Sequence, residues 1–366
     1  MDIETRINLI KRNTEEILTE EELRKKLENG KKLKHYIGFE ISGFIHLGTG
    51  IASGIKIADF QKAKVDCSYF LADWHSWINE KLGGDMETIK KVALNYFKEG
   101  LKASLKCCKG DAEDIKFILG SDLYHNNDDY WKTVIDISKH LTLNRVERSI
   151  TIMGRQLGGS MPFAWLIYPP MQAADIFALN INLCHAGTDQ RSAHVIAIDV
   201  AHKIKKEKPV AIHQHLLLGA QKPYTWPIPE GKIKEILSEM KMSKSIPKTA
   251  IFIHDSEEEI REKVKEAFCL PKDISFNPIL DWVKWLIFPL KNSFEVKRKE
   301  KFGGSINFES YEKLEKAYSE GELHPLDLKN AVAEVLIEIL EPARKHFMQP
   351  KIKKFKEELE KLRITR

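Results

Sequence analysis

Between residues 35 and 217, short β-branched and aromatic runs alternate with longer stretches of helical spacing, and this alternation constrains the fold more than any other feature of the chain. Strand-like runs stand at residues 35–40, 66–73, 115–120, 181–185 and 210–217, and residues 51–62, like the other intervening stretches, have the length and spacing of a crossover helix. Strand, helix and strand in repetition predict an α/β fold with a doubly wound, Rossmann-like parallel sheet. Ligands of such sheets bind beyond the C-terminal ends of the strands, so the residues that follow each strand are the ones to read for chemistry.

The flanks differ. Residues 1–30 read as two short amphipathic helices, the second opened by a Thr19-x-x-Glu22 capping box and stopped at Gly30. Residues 251–253 read as a last short strand. Ser256-x-x-Glu259 then caps a helix that begins a region almost without β-pattern, with helices expected at 256–268, 278–288, 311–319 and 325–346. The expected division is a catalytic domain over 1–254 and an all-helical C-terminal domain over 255–366. Residues 223–240 look like an insertion.

At 366 residues the chain exceeds the usual size of one core, and a composition of 43% hydrophobic and 30% charged residues suits a soluble globular protein. No apolar run approaches the roughly 20 residues that span a bilayer, and the N-terminus lacks the basic-then-apolar order of a signal peptide, so a cytoplasmic location and no membrane partner are expected. Five cysteines without a Cys-x-x-Cys pair support neither a disulfide framework nor a structural zinc site, and no protein-bound metal is expected. Residues 348–366 carry seven Lys/Arg against three Glu, which fits either a polyanionic partner or a solvated helix face.

Four segments fall where a doubly wound fold puts its site. His46, Gly48 and Thr49 open a helix: an imidazole and a glycine beside free backbone N–H groups suit a phosphate that gains charge in a transition state. A capping histidine is the alternative. Lys241-Met242-Ser243-Lys244-Ser245 is a loop whose two lysines can embrace departing pyrophosphate, against the alternative of a solvated basic loop. In Tyr168-Pro169-Pro170-Met171-Gln172-Ala173-Ala174-Asp175 the prolines suit the first turn of a helix, which puts Gln172 and Asp175 on one face with Tyr168 at the entrance. Asp175 stands among apolar neighbours, where a carboxylate is costly without a specific donor. It is either an acceptor for a ligand hydroxyl or a buried Asp satisfied by neighbouring donors. Asp189 and Gln190, after the 181–185 strand, suit a ribose diol and a small polar ligand, or else an N-cap. The phosphate turn and the lysine loop together point to activation of an acid with ATP.

Taken in order, Phe39-Glu40-x-Ser42-Gly43-x-x-His46-Leu47-Gly48, Leu71-Ala72-Asp73-x-His75, Tyr168-x3-Gln172-x2-Asp175, Asp189-Gln190-Arg191, the lysine loop, Lys301-Phe302-Gly303-Gly304 and the segment from His324 to Val332 resemble the class I aminoacyl-tRNA synthetases, and in detail the tyrosyl enzymes of the archaeal and eukaryotic type. The resemblance covers most of residues 8–345. It implies ATP, accompanied by Mg2+, and L-tyrosine as substrates, tRNA(Tyr) as partner and a homodimer. It implies Tyr36 and Asp175 at the tyrosine phenol, His75 in the same pocket, Tyr168, Gln172 and Gln190 at the amino-acid end, and Asp189 at the ribose. It puts His46, Gly48, Thr49, Lys241, Met242, Ser243 and Lys244 at ATP and its phosphates, Arg191 at the first tRNA base pair, and Phe302 and Asp327 at the first anticodon base.

The chain departs from the pattern at Thr49, which stands where the family often has a second histidine, at Ile41 in place of proline, and at Leu123 and Tyr124. The 223–240 insertion and the basic tail lie outside the resemblance. Two rival readings remain, a tryptophanyl enzyme of the same fold and an RNA-binding paralogue without catalysis. The pairing of Tyr36 with Asp175 speaks for tyrosine, and intact Lys241 and Lys244 speak for catalysis.

Overall fold

A computed structural model describes residues 1–154 and 161–362. Its main sheet has six strands: β1 (Glu16–Leu18), β2 (Lys34–Phe39), β3 (Asp66–Leu71), β4 (Lys116–Leu119), β5 (Leu183–Gly187) and β6 (Val210–Gln214), in the order β1-β6-β5-β2-β3-β4. All neighbours are parallel except β1, which runs antiparallel along the edge of β6. The doubly wound sheet expected from the alternation is present. Its strand order reverses at β2, between β5 and β3, so the crevice for ligands opens beyond the ends of β2 and β5.

Alternation along the strands separates two cores. Ile37, Tyr69, Leu183 and Ile212 point to one face, and Tyr36, Phe70, Cys184 and Ala211 to the other. On the second face lie the helices Asp128–Ser138, Ala164–Ala178 and Arg191–Ala201, the second of which carries Tyr168, Gln172 and Asp175. The first core runs on into the C-terminal region, where Leu328, Leu336 and Leu340 of the helix Pro325–Phe347 are buried in it.

Several local expectations change. Residues 12–19 contain an edge strand, β1, between the helices Ile3–Lys11 and Glu20–Glu28. Thr19 does not cap: its backbone is left-handed and its hydroxyl donates to the carbonyls of Leu18 and Pro209 instead. Gly30, at φ +67°, does follow the end of that helix. Residues 251–253 form no strand; Phe252 makes a single bridge with His46, because the segment is held at both sides by the phosphate turn, Leu47 N–H donating to Ile251 O and Ile253 N–H to Ile45 O. Pro169 and Pro170 lie in the second turn of Ala164–Ala178, not the first. The capping box at Ser256 is formed in full. The region after residue 255 is helical with one addition, a two-stranded antiparallel ribbon of β7 (Phe294–Val296) and β8 (Ile306–Phe308). The 223–240 segment folds a small helix, Ile233–Glu239, whose Ile236 packs with Leu218, Met240 and Phe276.

The N-terminal arm is tied down by a buried amine. Lys56 donates to the carbonyls of Ile10 (2.7 Å) and Arg12 (2.6 Å), supplying donors at the C-terminal end of the first helix where the backbone has none to offer. Burial lowers its pKa to about 7 despite the neighbouring Asp59 carboxylate.

Candidate active site

The phosphate turn starts at His46 and widens into a π-helical turn, Gly48–Ala52, that leads into the helix Ser53–Lys62. Gly50 is required by close approach: a Cβ there would stand 2.5 Å from Ser104 Oγ and 2.9 Å from Ile45 Cγ2. Burial, with help from Lys244 and Lys241, lowers the His46 pKa to about 3, so its ring is neutral. Nδ1 accepts from Gly48 N–H (3.2 Å). The proton therefore sits on Nε2, which donates to Thr49 Oγ1 (3.2 Å) and leaves the Thr49 hydroxyl hydrogen to point elsewhere. The His46 N–H is thus spent on Thr49, and the Thr49 hydroxyl is the donor left to a ligand.

The lysine loop hangs from the sheet by its middle. Met242 is buried, its N–H donates to Leu217 O (2.6 Å), and Lys241 bridges Leu218. Lys241 Nζ reaches Asp189 Oδ2 at 2.5 Å. Asp189 stands in the turn Thr188–Gln190 after β5, so the candidate ribose carboxylate and a candidate phosphate lysine share one crevice. Lys244 donates to Ser42 Oγ, and its pKa is lowered to about 8 by burial first and by Lys81 second. Both lysines and His46 thus converge on the phosphate turn.

Asp175 lies at the other end. It is 1% exposed, and its Oδ1 accepts from Tyr124 (3.0 Å) and Tyr130 (3.0 Å). Burial raises its pKa to about 8, against which the two phenol hydrogen bonds work. The alternative of a buried Asp with neighbouring donors is accordingly met in part, since two hydroxyls satisfy one oxygen. Near Oδ2 stands His75 Nε2 (3.9 Å), a buried nitrogen to which no hydrogen-bond partner comes among the described residues. Tyr36 is buried on the same sheet face, and burial first and the Asp175 charge second push its hydroxyl well above the usual range.

Between these ends lie the amide and phenol groups expected at the amino-acid end. Gln172 Nε2 donates to Gln190 Oε1 (3.2 Å), whose Nε2 donates to Ile152 O (2.9 Å). That order leaves Gln172 Oε1 buried without a donor among the described residues. Tyr168 donates to Glu40 Oε1 (2.8 Å), which also accepts from Asn79 (2.8 Å), with Lys81 at 3.5 Å from Oε2. Glu40 is the member of this group to which sequence reading gives no role, although its place directly after β2 carries the signal. Tyr130 is missed altogether, because nothing in its own helix announces a partner 45 residues away.

The candidate RNA residues lie apart. Arg191, half-exposed, starts the helix after Gln190 and pairs with Glu16 (2.9 Å). Asp327 occupies the third position of Pro325–Phe347, half-buried. Phe302 ends a short turn between β7 and β8, and its side chain lies outside the described residues.

Residues 28–341 match the family described as tRNA synthetases class I (W and Y). The tyrosine–tRNA ligase of Thermococcus kodakarensis is 57% identical over 359 residues, covering 95% of this chain and 96% of that protein. Tyrosine–tRNA ligase 1 of Pyrobaculum aerophilum is 50% identical over 378 residues and all of both chains. Among solved structures, the tyrosyl-tRNA synthetase of Pyrococcus horikoshii, complexed with L-tyrosine, superposes with a TM-score of 0.95 at 55% identity over 98% of this chain and 100% of that one. The tryptophanyl-tRNA synthetase of Aeropyrum pernix, at 16% identity and a TM-score of 0.67 over 94% of this chain and 85% of its own, shares the fold alone.

Proposed function

The chain belongs to the class I tRNA synthetases of the tryptophan and tyrosine family, and from that premise we propose that it is a tyrosine–tRNA ligase in which the two ends of the crevice divide the work. Tyrosine enters with its phenol toward Asp175 and Tyr36 and its ammonium toward Gln172 Oε1, the buried acceptor without a donor. The tyrosine carboxylate attacks the α-phosphorus of ATP. A carboxyl-oxygen-to-phosphorus bond forms, the bond from phosphorus to the bridging oxygen breaks, and pyrophosphate leaves. In the turn of His46 and Gly48, the Thr49 hydroxyl, held by the His46 Nε2–H, meets the charge that develops on the α-phosphate, while Lys241 and Lys244 follow the pyrophosphate. Asp189 exchanges Lys241 for the ribose diol when ATP binds. A hydroxyl at the tRNA 3′ end then takes the tyrosyl group and releases AMP. Mg2+ enters as the ATP complex, part of the substrate.

Arg191 meets the first base pair of tRNA(Tyr). In the C-terminal region Phe302 stacks on the first anticodon base and Asp327 accepts from its edge. The enzyme works as a homodimer in the cytoplasm; exposed Ile135 and Leu143, on neighbouring helices, support a subunit contact, and no helix among the described residues is long and apolar enough to cross a membrane.

One observation carries the choice of tyrosine over tryptophan. A carboxylate buried in an apolar helix already gathers two phenol hydroxyls of its own protein, and an indole offers no hydroxyl to such a group. Pyrophosphate exchange with each of the twenty amino acids tests it. Exchange with tyrosine alone is expected; exchange with tryptophan, or with none, would install one of the rival readings.

A further inference from the structure

We propose that Glu16 is a positioning residue for tRNA, holding Arg191 in the pose that meets the acceptor end. This rests on the reading of Arg191 given above. β1 is a three-residue antiparallel addition to an otherwise parallel sheet, and it brings Glu16 directly opposite His213 of β6. His213 is fully buried, with Nδ1 at 2.8 Å from Glu16 Oε2 and Nε2 at 3.0 Å from His194 Nδ1. A carboxylate can only accept, so His213 Nδ1 carries the proton and donates. Nε2 of the neutral ring must then accept, and His194 Nδ1 donates to it. Each group in the column has its role fixed by the next, and the imidazoles of His194 and His213 stack (5.1 Å, 20°).

At the outer end, both carboxylate oxygens take the Arg191 Nε–H, at 3.0 and 2.9 Å. The Nη groups make no bond to the described residues. A carboxylate across the two Nη groups would occupy the outermost paired donors of the guanidinium. This one grips the stem and leaves the fork to a phosphate or base edge. His194, one helical turn beyond Arg191, ties the same column to the arginine's own helix, so the three elements β1, β6 and Arg191–Ala201 fix one guanidinium. An arginine at an exposed helix start would otherwise sample many rotamers, and ordering it beforehand lowers the entropic cost of docking RNA.

The test is Glu16→Gln in the full chain, with tRNA(Tyr) transcripts carrying the natural or an exchanged first base pair. The KM for tRNA in aminoacylation should rise about three- to tenfold, as for loss of one partially exposed charge-assisted contact, with kcat changed by less than about twofold. Preference for the natural first pair should fall by a similar factor, tyrosine-dependent pyrophosphate exchange should stay at wild-type level, and Glu16→Gln combined with Arg191→Ala should be no worse than Arg191→Ala alone. A lowered KM would make Glu16 a competitor of RNA and overturn the proposal. So would additivity of the two substitutions, or loss of exchange and thermal stability together with charging, which would make Glu16 only structural. If Arg191→Ala leaves charging and pair preference untouched, the reading of Arg191 fails first and the role of Glu16 falls with it. Should Glu16→Gln not fold, Glu16→Asp keeps the negative charge but shortens its reach to Arg191 and His213 alike, and the same rise in KM is expected.

Discussion

Asp175 and Lys244, an acid and a base, stand at the two ends of one crevice, and the protein treats them in opposite ways. The carboxylate is sealed within a helix, bonded by Tyr124 and Tyr130 and stacked about by an aromatic core. The ammonium sits on a loop that hangs from the sheet through Met242, half-buried, with one hydroxyl for a partner. Burial is costly for both charges: it raises the Asp175 pKa to about 8 and lowers that of Lys244 to about 8. At the helix end that cost produces selection, because a buried acceptor penalises a side chain that brings it no donor. At the loop end it produces a donor that gains most when phosphate charge arrives. Specificity and rate are thereby separable, and substitutions should affect them separately.

Asp175→Ala should have the largest effect. The kcat/KM for tyrosine-dependent exchange should drop by about 10³ or more, since the phenol loses its acceptor and two buried hydroxyls lose theirs. Lys244→Ala should lower the rate of adenylate formation by about 10² to 10³, the usual value of one oxyanion-type donor, with little change in the Kd for tyrosine. Equal losses in binding and rate, seen in single-turnover measurements, would erase the contrast between the two ends.

Asp327→Ala should leave both ends of the crevice alone. We expect the KM for tRNA(Tyr) to rise by the equivalent of about 1 to 3 kcal/mol and discrimination at the first anticodon base to relax, with exchange near wild type. Collapse of exchange alongside charging would make Asp327 a helix-start residue and nothing more.

The smallest effect concerns the anchor of the lysine loop. Burial disfavours protonation of His215, but Asp281 (2.7 Å) and Glu15 (3.2 Å) outweigh it and raise its pKa to about 9. Asp281 also accepts from Leu218 N–H, and Leu218 bridges Lys241. A folded pKa above the unfolded 6.5 means the tie contributes fully below about pH 6.5 and is lost as pH rises through about 9. Thermal unfolding of the wild type should therefore lose about 1 to 2 kcal/mol between pH 6 and pH 9.5 that His215→Gln does not lose. Parallel pH profiles for the two proteins would remove His215 from the account.

Much of this molecule is legible in its sequence, for identifiable reasons. Parallel strands are buried on both faces and read as apolar runs, which is why β2, β3, β5 and β6 stand out. The strand β1 does not, because three residues carry no periodicity and its pairing is decided by β6, nearly 200 residues on. The ribbon β7–β8 escapes for the same reason. Asp175 announces itself by a charge among apolar neighbours, whereas its partners Tyr124 and Tyr130 look like ordinary core aromatics until the fold brings them together. Thr49 is the instructive case: as a letter it is a lost histidine, and as a side chain it accepts the His46 N–H hydrogen bond and keeps its own hydroxyl hydrogen for the phosphate.

The division of labour is tested most directly by one ratio, kcat/KM for tyrosine over phenylalanine in pyrophosphate exchange, measured for the wild type and for Asp175→Asn, which keeps the size of the side chain. A site built around a substrate hydroxyl rejects the analogue lacking it by about 10⁴ to 10⁵, so the wild type should show a ratio of that order and Asp175→Asn should reduce it by at least about 10² while phenylalanine activation stays nearly constant. If both substrates lose activity equally and the ratio persists, Asp175 only holds Tyr124 and Tyr130 in place, and selection of the phenol resides elsewhere.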